Sequence, residues 1–516
     1  MALRGRLRGA RLRRAARGRA GVVALALALY LGAGLLQTWP GARHGDEAFW
    51  ARGGPAPGEV AAGDHLQTGY QLWLVGHQLE GGRKPWRDPY SFQPLVEPRV
   101  NFAGWPFGLV YWPLQRALGT VWAWNAFVLI GFVGAGSFAA LWLRELRLRR
   151  GAALAGGLAF SLAPYLAAQA AAGHLLAWVS MLLALSLFAW ERGLRGSPLW
   201  LILSAVGLAS IPLSGQVHLA LGAIPFFLAY AVVRGRALPA AIGAALLAIG
   251  AGLLVYVAAI RDAVGAGGRS FAQVERYSPG ADAFVSRNVT AEIERFVFLG
   301  WVTPLLALAG LGLLLAARRF QLAALLGLGA LVPMLLALGA NLPGYETLWR
   351  HLPGLEATRV PARLMPVACL CLAALVAFAV TRVTWPGTAA LVAIVLLIDL
   401  HVGVFERAPA DEGNQAYAAM RSAPPGRVLE IPVFLPDRQE ASVYLYSTMQ
   451  VRREHPSGYS TLAPREADRE LRRLQRAPCT GLEALGVRYV ALHAAGPTCG
   501  GRLLARDGAV SVYALR

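Results

Sequence analysis

The stretch Val121–Ala170, which reads VWAWNAFVLIGFVGAGSFAALWLRELRLRRGAALAGGLAFSLAPYLAAQA, decides the fold class. It contains two apolar runs, Val121–Leu143 and Ala152–Ala170, on either side of the arginine-rich connection Arg144–Arg150. An apolar run of about 20 residues is long enough to cross the hydrocarbon core of a membrane as a helix. Lysine and arginine resist translocation and mark the cytoplasmic side. The stretch therefore predicts two membrane spans that are joined inside the cell.

The same alternation continues in both directions and predicts about eleven spans. The other apolar runs are Gly21–Trp39, His174–Trp190, Leu199–Leu213, Val217–Val233, Leu238–Ala259, Phe296–Ala317, Gln321–Ala340, Leu364–Thr381 and Thr388–Phe405. Every second connection is rich in arginine: Arg144–Arg150, Glu191–Arg195, Arg234–Arg236, Arg318–Arg319 and Arg382. This pattern predicts that the N-terminus lies inside the cell and the C-terminus outside it.

The N-terminal segment 1–20 carries eight arginines and no acid, and it is predicted to be a basic cytoplasmic end. A secretory signal begins in a similar way. The run that follows is about 19 residues long, however, and no small-residue cleavage site comes after it, so we interpret it as an uncleaved first span.

The composition agrees with a membrane protein of the multi-pass type. Of the 516 residues, 56% are hydrophobic and 15% are charged, and the mean hydropathy is +0.47. An ordinary soluble protein has roughly 25% charged residues. The net charge of +20 would suggest a nucleic-acid partner in a soluble protein, but here much of it belongs to the cytoplasmic connections. No nucleic-acid partner is predicted, and the absence of a P-loop argues against ATP-driven transport.

These patterns divide the chain into three parts. After the basic segment 1–20, residues 21–405 form a transmembrane domain whose first external loop is 40–120, and residues 406–516 form a small extracytoplasmic α/β domain. The fold class is thus an all-α polytopic membrane protein with an α/β tail. We expect it in the cell membrane (inner or plasma membrane) of a bacterial type of cell.

Two segments of the first external loop have their own structural signals. Leu66, Tyr70, Trp73 and His77 recur at helical spacing, which predicts a helix along the membrane surface. The apolar segment Ala103–Leu118 contains two prolines, and we expect a re-entrant or interfacial piece there. Counting it as a span would reverse the orientation of every later helix.

The tail shows strand and helix patterns in alternation. Arg427–Ile431 and Arg488–His493 are predicted strands, Arg502–Leu504 and Val510–Leu515 a closing hairpin, and Pro464–Arg476 a helix.

Four cysteines occur in the chain, two of them in the tail. Cys479 and Cys499 would lie in an oxidising compartment, where they either form a disulfide or remain free thiols. Cys369 and Cys371 fall within a predicted span and are expected to be packing residues. No cysteine or histidine spacing indicates a structural metal.

Acidic residues of the first external loop are the candidate catalytic groups. Asp64 opens the predicted surface helix, and Asp46 and Glu47 follow the first span closely. A carboxylate at this place can act as a general base on an acceptor hydroxyl. The structural alternatives are a helix cap by Asp64 with Gln67 in a capping box, and a solvated pair for Asp46 and Glu47.

External arginines run against the positive-inside trend, and a phosphate or pyrophosphate ligand would explain them. The candidates are Arg269, Arg276, Arg359 and Arg363, with Arg287 in the same loop as the first two. The alternative is pairing with lipid phosphates or with nearby glutamates. His65, His174 and His218 are further pocket candidates, as interfacial residues or as ligands of a divalent metal, and Asp399 lies within the last span.

Short motifs in these segments resemble those of the glycosyltransferase C superfold of polytopic bacterial membrane proteins, especially its YfhO-like members. The matching stretches are Gly63-Asp64, Gln71–Leu79, Ala172–Leu175 with Trp178, Tyr277–Pro279, Phe298–Gly300, Leu352–Arg363 and Leu485–Val490. The resemblance implies transfer of a sugar from a polyprenyl-phosphate-linked donor to an acceptor outside the cytoplasm, with an essential acid in the first external loop.

That acid corresponds most naturally to Asp64. Asp46 and Glu47 are the rival, because the pair is similar to one in protein mannosyltransferases and aminoarabinose transferases. A second external motif rich in Asp and Glu is missing, which leaves metal dependence open.

The sequence thus predicts an inverting glycosyltransferase, moving a hexosyl or pentosyl unit. Asp64 or Asp46 would serve as the base, the external arginines would hold the lipid-linked phosphate, and the tail would help to place the acceptor. The partners are a polyprenyl-phosphate sugar, membrane lipid, and an extracytoplasmic glycan or protein acceptor. The rival function is a non-catalytic flippase for lipid-linked glycans, or an envelope assembly protein.

Overall fold

A computed structural model of the chain describes residues 21–54, 59–97, 99–100, 102–235, 237–261, 270–289, 292–356, 358–383, 385, 387–460 and 462–516. The predicted cytoplasmic segment 1–20 lies outside this part. The helices are α1 Gly21–Gln37, α2 Asp64–Glu80, α3 Gly108–Leu118, α4 Thr120–Glu145, α5 Arg150–Ser161, α6 Pro164–Ala171, α7 Leu176–Gly193, α8 Pro198–Leu213, α9 Val217–Arg234, α10 Leu238–Val255, α11 Phe271–Tyr277, α12 Val302–Ala316, α13 Phe320–Ala337, α14 Tyr345–His351, α15 Met365–Arg382, α16 Thr388–Leu400, α17 Gln415–Ser422, α18 Ser442–Val451 and α19 Arg465–Arg476.

Five of the described helices are long and apolar enough to cross a membrane. They are Thr120–Glu145, Val217–Arg234, Leu238–Ile260, Phe320–Ala337 and Pro361–Arg382. The pair α5 and α6, bent by 44°, makes a sixth if it is one broken span. Four shorter apolar helices, α1, α8, α12 and α16, also lie in predicted spans. A helical membrane protein is therefore confirmed, while the count of eleven spans stays a prediction.

Three of the five predicted cytoplasmic connections, those after α4, α7 and α9, meet at one end of the helix bundle. Glu145, at the end of α4, pairs with Arg195 just beyond α7 and lies 3.4 Å from Arg192 in the last turn of that helix. Glu191 of α7 accepts from Arg234 of α9 at 2.6 Å. Helix α7 has 18 residues and is about 27 Å long, so its N-terminal end lies at the other side of the bundle.

Helix α15 forms the centre of the bundle and is almost entirely buried. Helices α5, α12 and α13 pack around it. A Cβ atom at Gly310 of α12 would overlap the carbonyl oxygen of Leu375, so the glycine lets the two backbones approach closely. Small residues at such contacts are typical of helix packing in membranes.

Asp399 has a structural partner in the neighbouring helix. Its carboxylate accepts from the backbone N–H groups of Trp301 at 2.9 Å, Val302 at 3.0 Å and Thr303 at 3.4 Å. These are N–H groups at the start of α12, which have no partner within the helix. Asp399 therefore caps α12, which accounts for an ionisable residue in an apolar segment.

The tail contains the predicted strands and helix. The described residues form the strands β1 Ala48–Trp50, β2 Arg87–Asp88 and β3 Arg99–Val100 in the first loop. The strands of the tail are β4 Arg407–Pro409, β5 Arg427–Ile431, β6 Val487–Leu492, β7 Arg502–Asp507 and β8 Val510–Ala514. The last four form one sheet in the order β5-β6-β8-β7, parallel between β5 and β6 and antiparallel elsewhere. Cys479 and Cys499 form a disulfide, while Cys369 and Cys371 are buried free thiols in α15.

The tail packs on the first loop through backbone and side-chain contacts. Strand β4 pairs with β1 in antiparallel fashion, and the hydroxyl of Ser442 accepts from the N–H of Gly63 at 3.0 Å. Helix α18 of the tail and helix α3 both pack on α2. The helix predicted along the membrane surface is thus present as α2, but it is enclosed by protein because residues on nearly all of its faces are buried.

Candidate functional site

The helix α2 begins at Asp64, and the carboxylate of this residue does not cap it. The N-cap residue is Gly63, and no side chain makes a capping hydrogen bond there. The side-chain amide of Gln67 donates to the carbonyl oxygen of Tyr459 at 2.9 Å. The capping-box interpretation of Asp64 is therefore wrong, because the side chains of Asp64 and Gln67 both contact other parts of the chain.

Three side chains from distant segments converge on the Asp64 carboxylate. The hydroxyl of Tyr459 donates to Oδ1 at 2.6 Å, and Nε2 of His174 lies 2.8 Å from Oδ2. The amide of Gln439 lies 3.5 Å from Oδ1. The Asp64 side chain remains 23% exposed, so a small group can still reach it.

His174 is held between two acceptors. Its Nδ1 lies 2.8 Å from Oε1 of Gln169, and the amide nitrogen of Gln169 faces Oε2 of Glu294 at 3.5 Å. Because the imidazole meets an oxygen on each side, it donates to both only in its doubly protonated form. Gly173, with φ +83°, allows this close packing: a Cβ atom there would overlap the backbone of His65.

Glu294 and Arg363 form a buried ion pair next to His174. The Arg363 guanidinium donates to Oε1 of Glu294, and Nε2 of His174 lies 3.8 Å from the same oxygen. Burial alone would raise the pKa of Glu294, but the charges of Arg363 and His174 outweigh it and lower that pKa. Two carboxylates and two basic side chains thus form one buried network: Asp64, His174, Glu294 and Arg363.

The pKa of Asp64 is set by the same balance. Burial raises it, while the hydrogen bonds and charge of His174, the hydroxyl of Tyr459 and the charge of Arg363 lower it more strongly. The result is a pKa well below the ordinary value of an aspartate. Asp64 is consequently ionised throughout the physiological range and accepts hydrogen bonds.

Arg359 and Arg276 both lie near the aromatic ring of Tyr277. Each guanidinium carbon is 5.5 Å from the centre of the Tyr277 ring. Arg276 is largely exposed and pairs with Glu292 at 2.5 Å, which is one of the structural alternatives expected from the sequence. Arg359 is half-buried, and its charge acts on both Glu294 and Tyr459. The site therefore has a cationic side next to its carboxylates.

A cavity of about 220 Å³ opens beside Tyr459 and Gln67. Its wall includes Tyr70, Gln71 and Asp88. The wall also includes Ile260, where the long apolar helix Leu238–Ile260 ends. The cavity therefore joins the surroundings of Asp64 to the end of a membrane-spanning helix.

The rival acids and the remaining predicted residues have other surroundings. Glu47 forms an exposed ion pair with Arg407 at 2.7 Å, and Asp46 is exposed. His65 is buried against Phe49 and Trp124, and burial lowers its pKa to about 4.

Two of the site residues predicted from the sequence, His218 and Arg269, are still to be located. His218 is half-buried at the start of α9. Arg269 lies outside the described residues.

Glu294, Gln169 and Tyr459 were not predicted as site residues from the sequence. Glu294 stands in a loop with several other acids, and Gln169 in an apolar run, so neither position has a distinguishing pattern. Tyr459 lies 395 positions from Asp64, and only the docking of the tail brings them together. Among the residues that the structure describes, no group of three or more His, Cys, Asp or Glu side chains is arranged to hold a metal ion.

The chain is similar in fold to solved structures of known proteins. No protein-family model and no curated protein matches the sequence. Among solved structures, the arabinofuranosyltransferase AftD from Mycobacteria matches with a TM-score of 0.52 and 17% identity over 95% of this chain. The chain spans 41% of AftD. This match shows that the chain shares its fold with that structure, in agreement with the superfold predicted from the sequence.

Two further structures match less closely in shape. The oligosaccharyltransferase AglB from Archaeoglobus fulgidus, in complex with an inhibitory peptide and a dolichol-phosphate, has a TM-score of 0.47 and 12% identity over 92% of this chain and 69% of its own. ArnT from Cupriavidus metallidurans, bound to undecaprenyl phosphate, has a TM-score of 0.40 and 13% identity over 96% and 97%.

Proposed function

We propose that this chain is a membrane glycosyltransferase that moves a sugar from a polyprenyl-phosphate-linked donor to an acceptor outside the cytoplasm, with Asp64 as the general base. The observation that carries the proposal is the position of the Asp64 carboxylate. It is partly exposed, lies next to a cavity, and is connected through His174 and Glu294 to Arg363. A base beside a cationic cluster is what this reaction needs.

In the proposed reaction, an acceptor oxygen attacks the anomeric carbon of the donor sugar. The bond from that carbon to the phosphate oxygen breaks, the electron pair goes to the phosphate, and the acceptor proton goes to Asp64. Attack from the face opposite the phosphate inverts the anomeric centre. Because the pKa of Asp64 is low, the proton moves late, when the attacking oxygen has already gained positive charge.

Arg359 and Arg363 are the proposed groups for the leaving phosphate. Arg359 lies over Tyr277 at the partly open edge of the site. Arg363 is more deeply buried and paired with Glu294, so it contributes charge from behind the site. Arginine is suited to this task because its planar guanidinium binds phosphate oxygens in pairs. Exposed Arg276 would contact the donor lipid headgroup at the rim.

The rival function is a flippase for lipid-linked glycans. A transporter of this kind is expected to have ionisable groups or unwound helices near the bilayer midplane. Asp399 was the main candidate for such a group, and its carboxylate caps helix α12. The described polar network instead lies at the N-terminal ends of α7 and α15, which favours the transferase.

The test is sugar transfer by the full-length protein in membranes. The donors are polyprenyl-phosphate-linked arabinose, mannose and glucose, each radiolabelled, and the acceptor is a cell-envelope fraction. We expect Asp64→Asn to lower transfer by about 100-fold or more, while Asp46→Asn, an exposed acid of the same loop, retains activity. Full activity of Asp64→Asn, or no transfer by the unchanged protein from any donor, would contradict the proposal.

A further inference from the structure

We infer that the cavity beside Tyr459 binds one uncharged sugar ring of the acceptor. The inference rests on the proposed function and adds the chemical class of the acceptor. The volume of the cavity, about 220 Å³, is below the roughly 300–1,000 Å³ of pockets for drug-sized ligands. The cavity therefore suits a single ring and leaves the rest of a longer glycan outside.

The wall of the cavity combines aromatic rings with amide side chains that can form hydrogen bonds. Tyr70, Phe102 and Tyr459 supply rings, and Gln67 and Gln71 supply amides. A pyranose or furanose ring has the complementary surface, because its C–H groups pack on aromatic faces and its hydroxyls bind amides around the rim. Binding sites for small molecules commonly have this combination of apolar walls and a few placed polar groups.

The negative charge in the cavity wall disfavours binding of the donor phosphate. Asp88 is the one charged side chain among the residues lining it in the described part of the chain. Its Oδ1 accepts from the Tyr70 hydroxyl at 2.6 Å and from the N–H of Tyr90 at 3.0 Å, which holds the carboxylate in place. A phosphate would be repelled there, whereas a neutral polyol would not be. The donor phosphate therefore belongs to the arginine side of Asp64, and the cavity is left for the acceptor.

The position of Tyr459 connects the cavity to the reaction. Its ring lines the cavity, and its hydroxyl donates to Oδ1 of Asp64 at 2.6 Å. A sugar hydroxyl that contacts the Tyr459 oxygen is one hydrogen bond from the proposed base. Since Leu445 and Tyr459 both belong to the tail, the docked tail completes the acceptor site.

The inference is tested by binding rather than by activity. The full-length protein in lipid nanodiscs is titrated with methyl glycosides of glucose, galactose, mannose and arabinofuranose, followed by saturation-transfer NMR. Farnesyl phosphate is the anionic probe. Gln71→Trp fills the cavity, and Ala259→Phe, at another lining residue, fills it in case the first variant does not fold. Gln321→Trp, at an exposed position of α13, is the matched control.

We expect at least one glycoside to bind saturably, with an affinity lowered about ten-fold or more by either cavity variant. Farnesyl phosphate should bind equally to both variants and more weakly to Arg359→Ala. Absence of glycoside binding, glycoside binding that ignores the cavity variants, or loss of farnesyl phosphate binding in them would overturn the inference. Failure of the proposed function has a different signature, namely full transfer by Asp64→Asn with glycoside binding intact.

Discussion

Nε2 of His174 lies 2.8 Å from Oδ2 of Asp64, although 110 positions separate the two residues in the chain. The contact joins the start of α2 to the start of α7, and it places a basic ring directly on the proposed catalytic carboxylate. Gln169 on the other ring nitrogen fixes the orientation of the imidazole. The proton affinity of Asp64 is therefore controlled by a residue in the turn between α6 and α7.

Removing this contact should change the pH dependence of transfer. In the unchanged protein the pKa of Asp64 is far below its ordinary value, so its protonation does not limit activity above about pH 4. Without His174, burial raises the pKa of Asp64. We expect the acid limb of kcat/KM to move to higher pH in His174→Ala, and to move less in His174→Gln, which retains a hydrogen-bond donor.

The control for this experiment is His351→Gln, a substitution at an exposed histidine at the end of α14. Its pH profile should match that of the unchanged protein. A uniform loss of activity in His174→Ala, with the acid limb in its original place, would mean that His174 only supports the fold.

The ion pair of Glu294 and Arg363 should be a major determinant of stability. Glu294→Gln leaves a buried guanidinium without its carboxylate, and we expect a loss of about 3–5 kcal/mol in the free energy of unfolding. The double variant Glu294→Gln/Arg363→Gln should recover part of it, because no charge is left unpaired. Denaturant titration in mixed micelles measures the free energy of unfolding of the single and the double variant.

Glu346 provides the comparison, since it pairs with Arg350 on an exposed face of α14. Glu346→Gln should cost no more than about 1 kcal/mol. Equal effects at Glu294 and Glu346 would show that burial does not strengthen the inner pair.

The carboxylates of the network also predict acid sensitivity of the fold. Both Asp64 and Glu294 have lowered pKa values in the folded protein. Each contributes stability that is fully present above the unfolded-state pKa, near 4, and is lost as the pH falls through the lower folded-state value. The thermal midpoint should therefore drop between about pH 5 and pH 2, and less so in Asp64→Asn. An equal drop in that variant would exclude Asp64 as a contributor.

Asp399 should act as a helix cap that tolerates an uncharged acceptor. Asp399→Ala removes the acceptor for three N–H groups of α12, and we expect a loss of about 0.5–2 kcal/mol in stability. Asp399→Asn should lose less, since asparagine also caps helices well. Thermal unfolding of both variants is the measurement, and sugar transfer is expected to persist. Loss of transfer in a stable Asp399→Asn protein would instead indicate a functional ionisable group.

The disulfide of the tail should stabilise the region that carries Tyr459. Cys479 and Cys499 are 20 positions apart, and closing such a loop contributes about 3 kcal/mol in the chain-entropy model. The double variant Cys479→Ser/Cys499→Ser should make the tail more sensitive to limited proteolysis in urea. Cys369→Ser, in the buried helix α15, should leave the proteolysis of the tail unchanged. Equal resistance of the tail with and without the disulfide would contradict this expectation.

The sequence by itself determined the elements whose signals are local. Apolar length and arginine position predicted the helices and the end at which their basic connections meet, since both follow from the cost of placing charge in lipid. The local pattern of Arg427–Ile431 predicted a strand, and β5 has the same bounds. The position of Asp64 after Gly63 correctly predicted the start of α2, although the same pattern favoured a cap.

Only the tertiary structure decided what those residues touch. The carboxylate of Asp64 meets His174 and Tyr459 because the turn before α7 and the tail pack against the start of α2, and no local pattern encodes that contact. For the same reason α2 is enclosed by protein, and Asp399 is a cap on a helix 97 positions away. Local composition sets which segments enter the membrane, whereas the site depends on side chains brought together by packing of segments that are distant in sequence.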